Sequence, residues 1–378
     1  MADVALLGAD IHDGTALHRN MALWRSGADL RIVPPGHLPE GCRRRDLGGG
    51  ILLPGFVDLQ VNGGGGVMFN DAPSLATLRV IARAHHRLGT RAFLPTLISD
   101  TPAQVRAAVA AVEQAMAAGV PGIVGLHLEG PHLSAARKGA HAAGLIRPME
   151  EPDLRFLCEA AARLPNLMVT LAPEAVTGAQ ISQLAAAGVI VSVGHSAADH
   201  GQARAAFDAG ARCVTHLFNA MEPLLSRAPG LVGAALADGR ISCGLIADGF
   251  HVDPVVMQVA LAAKQGPGQV FLVSDAMATA ASAVPGFDLN GRRVRRMGGR
   301  LVLEDGTLAG ADLDMAGALR VLVGRAGESP ARAIRRATGI PAALLRDDMG
   351  QGRLRAGNVI HLCADLHLRA DSGDLWQG

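Results

Sequence analysis

Apolar and polar positions alternate between two periods along most of the chain. Short, nearly continuous apolar runs recur at 91–99 (RAFLPTLIS), 122–133 (GIVGLHLEGPHL), 167–174 (LMVTLAPE), 189–196 (VIVSVGHS), 212–221 (RCVTHLFNAM), 241–249 (ISCGLIADG) and 270–277 (VFLVSDAM). Amphipathic, alanine-rich stretches at 74–88, 101–118, 150–163, 177–187, 199–209 and 254–264 separate most of them. Strands without an outward polar face, alternating with helices, predict a parallel sheet covered by helices. With an opening strand at 51–61 the count reaches eight, the number that closes a (β/α)8 barrel.

The flanks break this rhythm. Residues 1–52 and 349–378 carry short alternating runs cut by Gly and Pro, which predicts a small β-sandwich built from both chain ends. The barrel is then expected over 53–348, with hairpins inserted at 284–310 and a final helical stretch at 311–345.

Composition narrows the function classes. Hydrophobic residues make up 49% of 378, so a large core is expected, and a net charge of +1 gives no footprint for nucleic acid or an anionic membrane. The basic runs 42–46 (CRRRD) and 291–296 (GRRVRR) read as solvated turns. Five scattered cysteines without CxxC spacing argue for a reducing compartment and against a disulfide framework or zinc knuckle. Cys213 and Cys243, inside apolar runs, read as small core residues. The N-terminus lacks the marks of a signal peptide and no run of 18 apolar residues occurs, so a soluble, cytoplasmic chain is expected.

Chemistry collects at the C-terminal ends of the predicted strands: Glu129, Glu174, His195, His216, Asn219, Asp248, His251 and Asp275. Barrel enzymes build their sites at that rim. Glu129, His195 and His216 form a carboxylate–imidazole set suited to a catalytic divalent metal with a position left for water. Asp275 could act as general base, or simply cap a helix over the following AMATAA.

Nine segments in order resemble the N-acetylglucosamine-6-phosphate deacetylase family of the amidohydrolase superfamily: PGFVDLQVNG, GLHLEGPHLS with KGAH, TLAPE, VSVGHS, THLFNAM, RAPGLVG, GLIADGFHVDP, LVSDA and GTLAGADLDM. The resemblance runs from about Leu53 to Met315. It implies hydrolysis of the N-acetyl group of N-acetyl-D-glucosamine 6-phosphate, with a metal-activated water as nucleophile and Asp275 as base and then acid. Glu129, His195 and His216 match the metal ligands, and His141 the histidine that helps polarise the acetamide carbonyl. Ala140, His141, Asn219, Ala220, Asp248, His251, Leu308, Ala309 and Gly310 fall at substrate-binding positions. Arg227 matches an arginine that binds the phosphate, in many members across a dimer interface, so a homodimer is expected.

The resemblance also gives meaning to the polar row Asp58, Gln60, Asn62 on the first strand. Many amidohydrolases place a His-x-His pair there for a second metal, and here it falls on Gln60 and Asn62. Neutral amides are poor ligands for transition metals, so one divalent ion per chain is expected: zinc, with iron, manganese or cobalt as alternatives. The other reading has the amides brace the glycine bend that follows. His132, where relatives commonly carry an apolar or aromatic residue, is not taken as a ligand. His12, His18, His37, His85, His86, His200, His361 and His367 read as surface or packing residues. Two alternatives stay open: a deacetylase for another amino-sugar phosphate, such as the galactosamine epimer, and a non-catalytic barrel that binds these sugars.

Overall fold

A computed structural model describes residues 3–370 and 375–376; the remaining positions of the expected terminal sandwich, 1–2, 371–374 and 377–378, lie outside the described residues. Eight parallel strands follow one another around a single sheet: β1 (Phe56–Val61), β2 (Thr90–Ile98), β3 (Leu126–Glu129), β4 (Leu167–Leu171), β5 (Ile190–Val193), β6 (Cys213–Val214), β7 (Ser242–Leu245) and β8 (Val270–Leu272). The segment after β8 returns to β1 through a parallel bridge between Val61 and Ala276, with Asn62 N donating to Ala276 O at 2.9 Å. This is the (β/α)8 arrangement predicted from the alternating periods.

The helices begin where a side chain can satisfy their first free amides. Ser74, Thr101, Thr177, Asp199 and Asp253 each accept a backbone N–H in the first turn of α1 (Leu75–Arg87), α2 (Pro102–Ala117), α4 (Gly178–Ala186), α5 (His200–Asp208) and α7 (Pro254–Ala263). The helix α3 (Glu151–Arg163) completes the expected set. Met315–Gly324, Pro330–Ala337 and Gly339–Ala342 form the expected final helical stretch. By contrast, α6 (Gly230–Ala237), between β6 and β7, is built of Gly, Ala, Leu and Val alone, has no polar face and is buried but for its last residue. It therefore shows no amphipathic period, and the sequence pattern passes over it.

The expected opening strand at 51–61 is two strands. Ile51–Pro54 pairs with Val359–Leu362 and Asp10–His12, while β1 pairs with β2. The break falls at Gly55, whose N–H donates to Asn358 O at 2.6 Å and where a Cβ would lie 2.0 Å from Arg91 Cγ. One apolar run thus serves two sheets. A second small sheet contains Val4–Leu7, Ala22–Ser26, Asp29–Val33 and Arg43–Asp46. Leu6, Ile11, Leu23, Leu52 and Val359 form the core between the two, drawn from both chain ends.

The basic runs are not turns. Arg43–Asp46 is an edge strand, and Arg292–Met297 is the middle strand of an antiparallel sheet with Gly286–Leu289 and Arg300–Val302. Most of their arginines are exposed, and in the second strand only Val294 is buried. All five cysteines are free, with Cys213 and Cys243 buried. Among the described residues, no helix is long and apolar enough to cross a membrane.

Candidate active site

The rim residues converge because each follows a barrel strand. Glu129 ends β3, while His195, His216 and Asp275 sit two or three residues past β5, β6 and β8. The chain leaves the sheet at these points through left-handed kinks, with φ of 47° at His195, 32° at His216 and 49° at Asp275. Non-glycine residues there cost on the order of 1 kcal/mol or more each, a strain typical of functional sites. The kinks turn all three side chains inward over the strand ends. No helix starts after Asp275, so its capping role is not realised.

The polar atoms crowd into one buried cluster. His216 Nε2 lies 3.0 Å from Glu129 Oε1 and 3.0 Å from His195 Nε2, and His195 Nε2 lies 3.3 Å from the same carboxylate oxygen. His195 Nδ1 donates to Arg137 O at 2.9 Å, which makes Nε2, once unprotonated, the atom this ring offers a metal. A carboxylate oxygen and two imidazole nitrogens this close suit a divalent metal. Potential ligand atoms of Glu129, His141 and His195 also lie within 4.8 Å of one another, so His141 flanks the same position.

Gln60 and Asn62 reach into this cluster from β1. Gln60 Nε2 donates to Glu129 Oε1 and to Asp275 Oδ1, both at 3.1 Å, and Asn62 Nδ2 donates to Asp275 Oδ1 at 2.7 Å. The amides hold the carboxylates. Beneath them, His127 links Thr96 Oγ1 (3.2 Å) to Thr170 Oγ1 (2.7 Å), and the chain continues through Thr215 to Ser192.

The charges shape the titration of this cluster. Burial raises the Glu129 carboxyl, but hydrogen bonds and charge from His195 and His216 outweigh it and hold the group well below its usual range. Burial, then the charge of Glu129, push Asp275 up to about 7, against the pull of His216, His251 and the Asn62 amide. Burial, then the neighbouring His195, push His141 down to about 3, so its ring is neutral. His216 is raised, because its bond to Glu129 overcomes the burial that would lower it.

Above the cluster opens a cavity of about 370 Å³. Glu129, His141, His195, His216 and Asp275 form its floor, and Ala140, Asn219, Ala220, His251, Leu308 and Gly310 its walls. Asp248 stands behind the wall and accepts from His251 Nδ1 at 2.7 Å, orienting that ring. Ala309 is buried behind the lining, with its N–H bonded to Leu301 O. Arg227 is exposed and outside the lining. His132 faces away from the cavity, with Nδ1 donating to Arg147 O at 3.2 Å.

The amidohydrolase family profile matches residues 51–360, which span the barrel and every residue of the cluster. The chain belongs to the amidohydrolase family. Among its relatives in that family, an N-acetylgalactosamine-6-phosphate deacetylase of Shewanella sp. is 43% identical over 311 residues, covering 81% of this chain and 78% of the relative. An N-acetylglucosamine-6-phosphate deacetylase of Haemophilus influenzae is 34% identical, covering 95% and 94%. The crystal structure of N-acetylglucosamine-6-phosphate deacetylase from Pasteurella multocida superposes with a TM-score of 0.91 at 33% identity, covering 97% of each chain.

Set on the amidohydrolase barrel, several residues that the sequence pattern passed over stand close to the cluster. Ser99, one residue past β2, contacts His141. Arg292, from the basic run, donates to Ala140 O and so ties the inserted sheet to the His141 loop. Arg137 lines the cavity with its guanidinium bonded to Glu222 at 2.6 Å. None of these carries a motif. Ser99 closes an apolar run that looks complete without it, and Arg292 sits in a run of exposed arginines.

Proposed function

We propose that this amidohydrolase cleaves the N-acetyl group of N-acetyl-D-glucosamine 6-phosphate, giving D-glucosamine 6-phosphate and acetate. The observation that carries the reading is Asp275, poised over the Glu129–His195–His216 cluster with one carboxylate oxygen held by two amides. Glu129, His195 and His216 would hold one divalent ion, with zinc the favoured metal. When bound, such an ion lowers the pKa of a water and polarises a carbonyl oxygen.

The chain's own residues account for the remaining steps. Asp275 takes the proton from the attacking water and returns it to the departing amine. The ring of His141, neutral at working pH, donates a hydrogen bond to the acetamide oxygen as charge develops there. His251, steadied by Asp248, and the backbone at Asn219, Ala220 and 308–310 position the sugar. Gln60 and Asn62 occupy the place of a second metal and orient the carboxylates instead.

The phosphate is assigned to Arg227, acting across a homodimer. Two observations support this reading. Arg137, the arginine among the described lining residues, is already tied to Glu222. Arg227 stands beside the exposed Leu224 and Leu225, 52% and 56% accessible, an apolar patch suited to burial against a second copy. A cytoplasmic location is consistent with a phosphorylated substrate.

The galactosamine epimer is a second reading, favoured by the 43% identity with the Shewanella enzyme against 34% with that of Haemophilus influenzae. Acetate release from both epimers at matched concentrations tests the choice. A higher kcat/KM for N-acetylglucosamine 6-phosphate supports the proposal, and the reverse order assigns the enzyme to the epimer.

A further inference from the structure

Ser99 lies immediately past β2, only 1% accessible, in the layer that carries the cluster. Its backbone N–H donates to His141 Nδ1 at 3.3 Å, and its hydroxyl oxygen sits 2.8 Å from the same nitrogen. The direction of the first bond is fixed, because a backbone amide can only donate. His141 Nδ1 must therefore accept, and the proton of the neutral ring resides on Nε2. The hydroxyl then has one favourable orientation toward that nitrogen: it donates as well, since oxygen and nitrogen lone pairs facing each other at 2.8 Å would repel. Its other acceptor, Glu129 O, is farther away at 3.5 Å.

The chain makes room for this hydroxyl. Gly130, at φ +84°, follows Glu129, and a Cβ there would lie 2.3 Å from Ser99 Oγ. A side chain at 130 would expel the hydroxyl from its place against His141.

We infer that Ser99 is a positioning residue that locks His141 in the tautomer with its proton on Nε2, making His141 a hydrogen-bond donor to the substrate carbonyl and excluding it from the metal's ligands. The inference rests on the proposed deacetylase reading for the donor role, but the tautomer follows from the contacts alone. His141 Nε2 lies 3.8 Å from Glu129 Oε2, near enough to look like a ligand by distance. As a ligand through Nε2, its Nδ1–H would point at the Ser99 N–H, two donors facing each other. His195 differs, because its Nδ1 meets the carbonyl of Arg137 and leaves Nε2 free to bind.

Cadmium-113 loaded into protein carrying nitrogen-15 histidine separates the two roles. Scalar coupling between the metal and Nε2 is expected for His195 and His216, while His141 shows a proton-bearing Nε2 and no coupling. Coupling to His141 would overturn the inference, whatever the enzyme's activity. Ser99→Ala removes the hydroxyl but keeps the backbone donor, so the tautomer persists while the ring is held less firmly. The variant is expected to keep its metal and its KM and lose about three- to tenfold in kcat. An unchanged kcat in a metal-loaded variant would overturn the positioning role. If no acetate is released by the wild type at all, the deacetylase reading fails while the spectroscopic result still decides the tautomer.

Discussion

Asn62 donates from Nδ2 to Oδ1 of Asp275 at 2.7 Å, and this bond gives the amides of the first strand a function. It holds one carboxylate oxygen while the other stays free to meet a water. It also opposes burial and the charge of Glu129, which still leave Asp275 raised to about 7. A donor to a carboxylate stabilises the charged form, so its removal raises the pKa. In Asn62→Leu, Asp275 should hold its proton to higher pH, and the acid limb of the kcat/KM profile should move upward by about one pH unit. A pH–rate profile of the metal-loaded variant checks this, and a limb that stays in place would remove Asn62 from the tuning of Asp275.

Metal binding should release protons. His216 titrates above its usual 6.5 without metal, because burial is outweighed by its bond to Glu129. A metal ligand must be neutral, so the ion has to displace that proton. Affinity is expected to fall about tenfold per pH unit as the pH drops below the raised value of His216. Calorimetric titration in buffers of different ionisation enthalpy measures the protons released. One ion per chain and about one proton at neutral pH are expected, and two tightly bound ions would contradict the single-metal reading of Gln60 and Asn62.

Much of this site is legible in the sequence because ligand-type residues end apolar strands. Glu129, His195, His216 and Asp275 stand out as polar residues closing near-continuous apolar runs, and the structure gathers all four. What the pattern misses depends on geometry that has no period. The left-handed kinks at His195, His216 and Asp275 carry no sequence mark, since non-glycine residues occupy them. Gly55 divides one apolar run between two sheets, a consequence of which neighbours flank it. The α6 helix is apolar all round, and periodicity needs a polar face to be seen. The hydrogen bonds of Gln60 and Asn62 to the carboxylates join residues about 70 to 215 positions apart, which no local reading reaches.

Arg227→Ala tests the phosphate role. The variant is expected to raise KM for the phosphorylated substrate by about tenfold to a hundredfold, in keeping with the loss of a charge-assisted hydrogen bond. Turnover of unphosphorylated N-acetylglucosamine should be nearly unaffected. Equal weakening of both substrates, measured by steady-state kinetics, would take Arg227 out of phosphate recognition. Mixing Arg227→Ala with an inactive Asp275→Asn chain should restore part of the activity if the arginine acts in trans.

Stability should carry a histidine signature away from the active site. His12 is buried, accepts from Gly14 N on Nδ1 at 3.1 Å and donates from Nε2 to Ala331 O at 3.1 Å. Burial pushes it from 6.5 down to about 4, against the raising effect of the Ala331 bond. Between those values the unfolded chain binds the extra proton, so this contribution is complete above pH 6.5 and drains as the pH falls toward 4. The stability gap between wild type and His12→Gln should therefore narrow by about 1–2 kcal/mol from pH 7 to pH 5. Urea unfolding at the two pH values measures it, and a gap that stays constant would place the neutral histidine in doubt.

The central claim is tested most directly by acetate release, assayed together with metal content, for the wild type and Asp275→Asn. The wild type, carrying one divalent ion per chain, is expected to release one acetate for each glucosamine 6-phosphate formed. Asp275→Asn should keep its ion and its fold while losing about 10²–10⁴-fold in kcat, the scale of a lost general base. A metal-loaded wild type that releases no acetate from either amino-sugar phosphate, or an Asp275→Asn variant with wild-type turnover, would contradict the account.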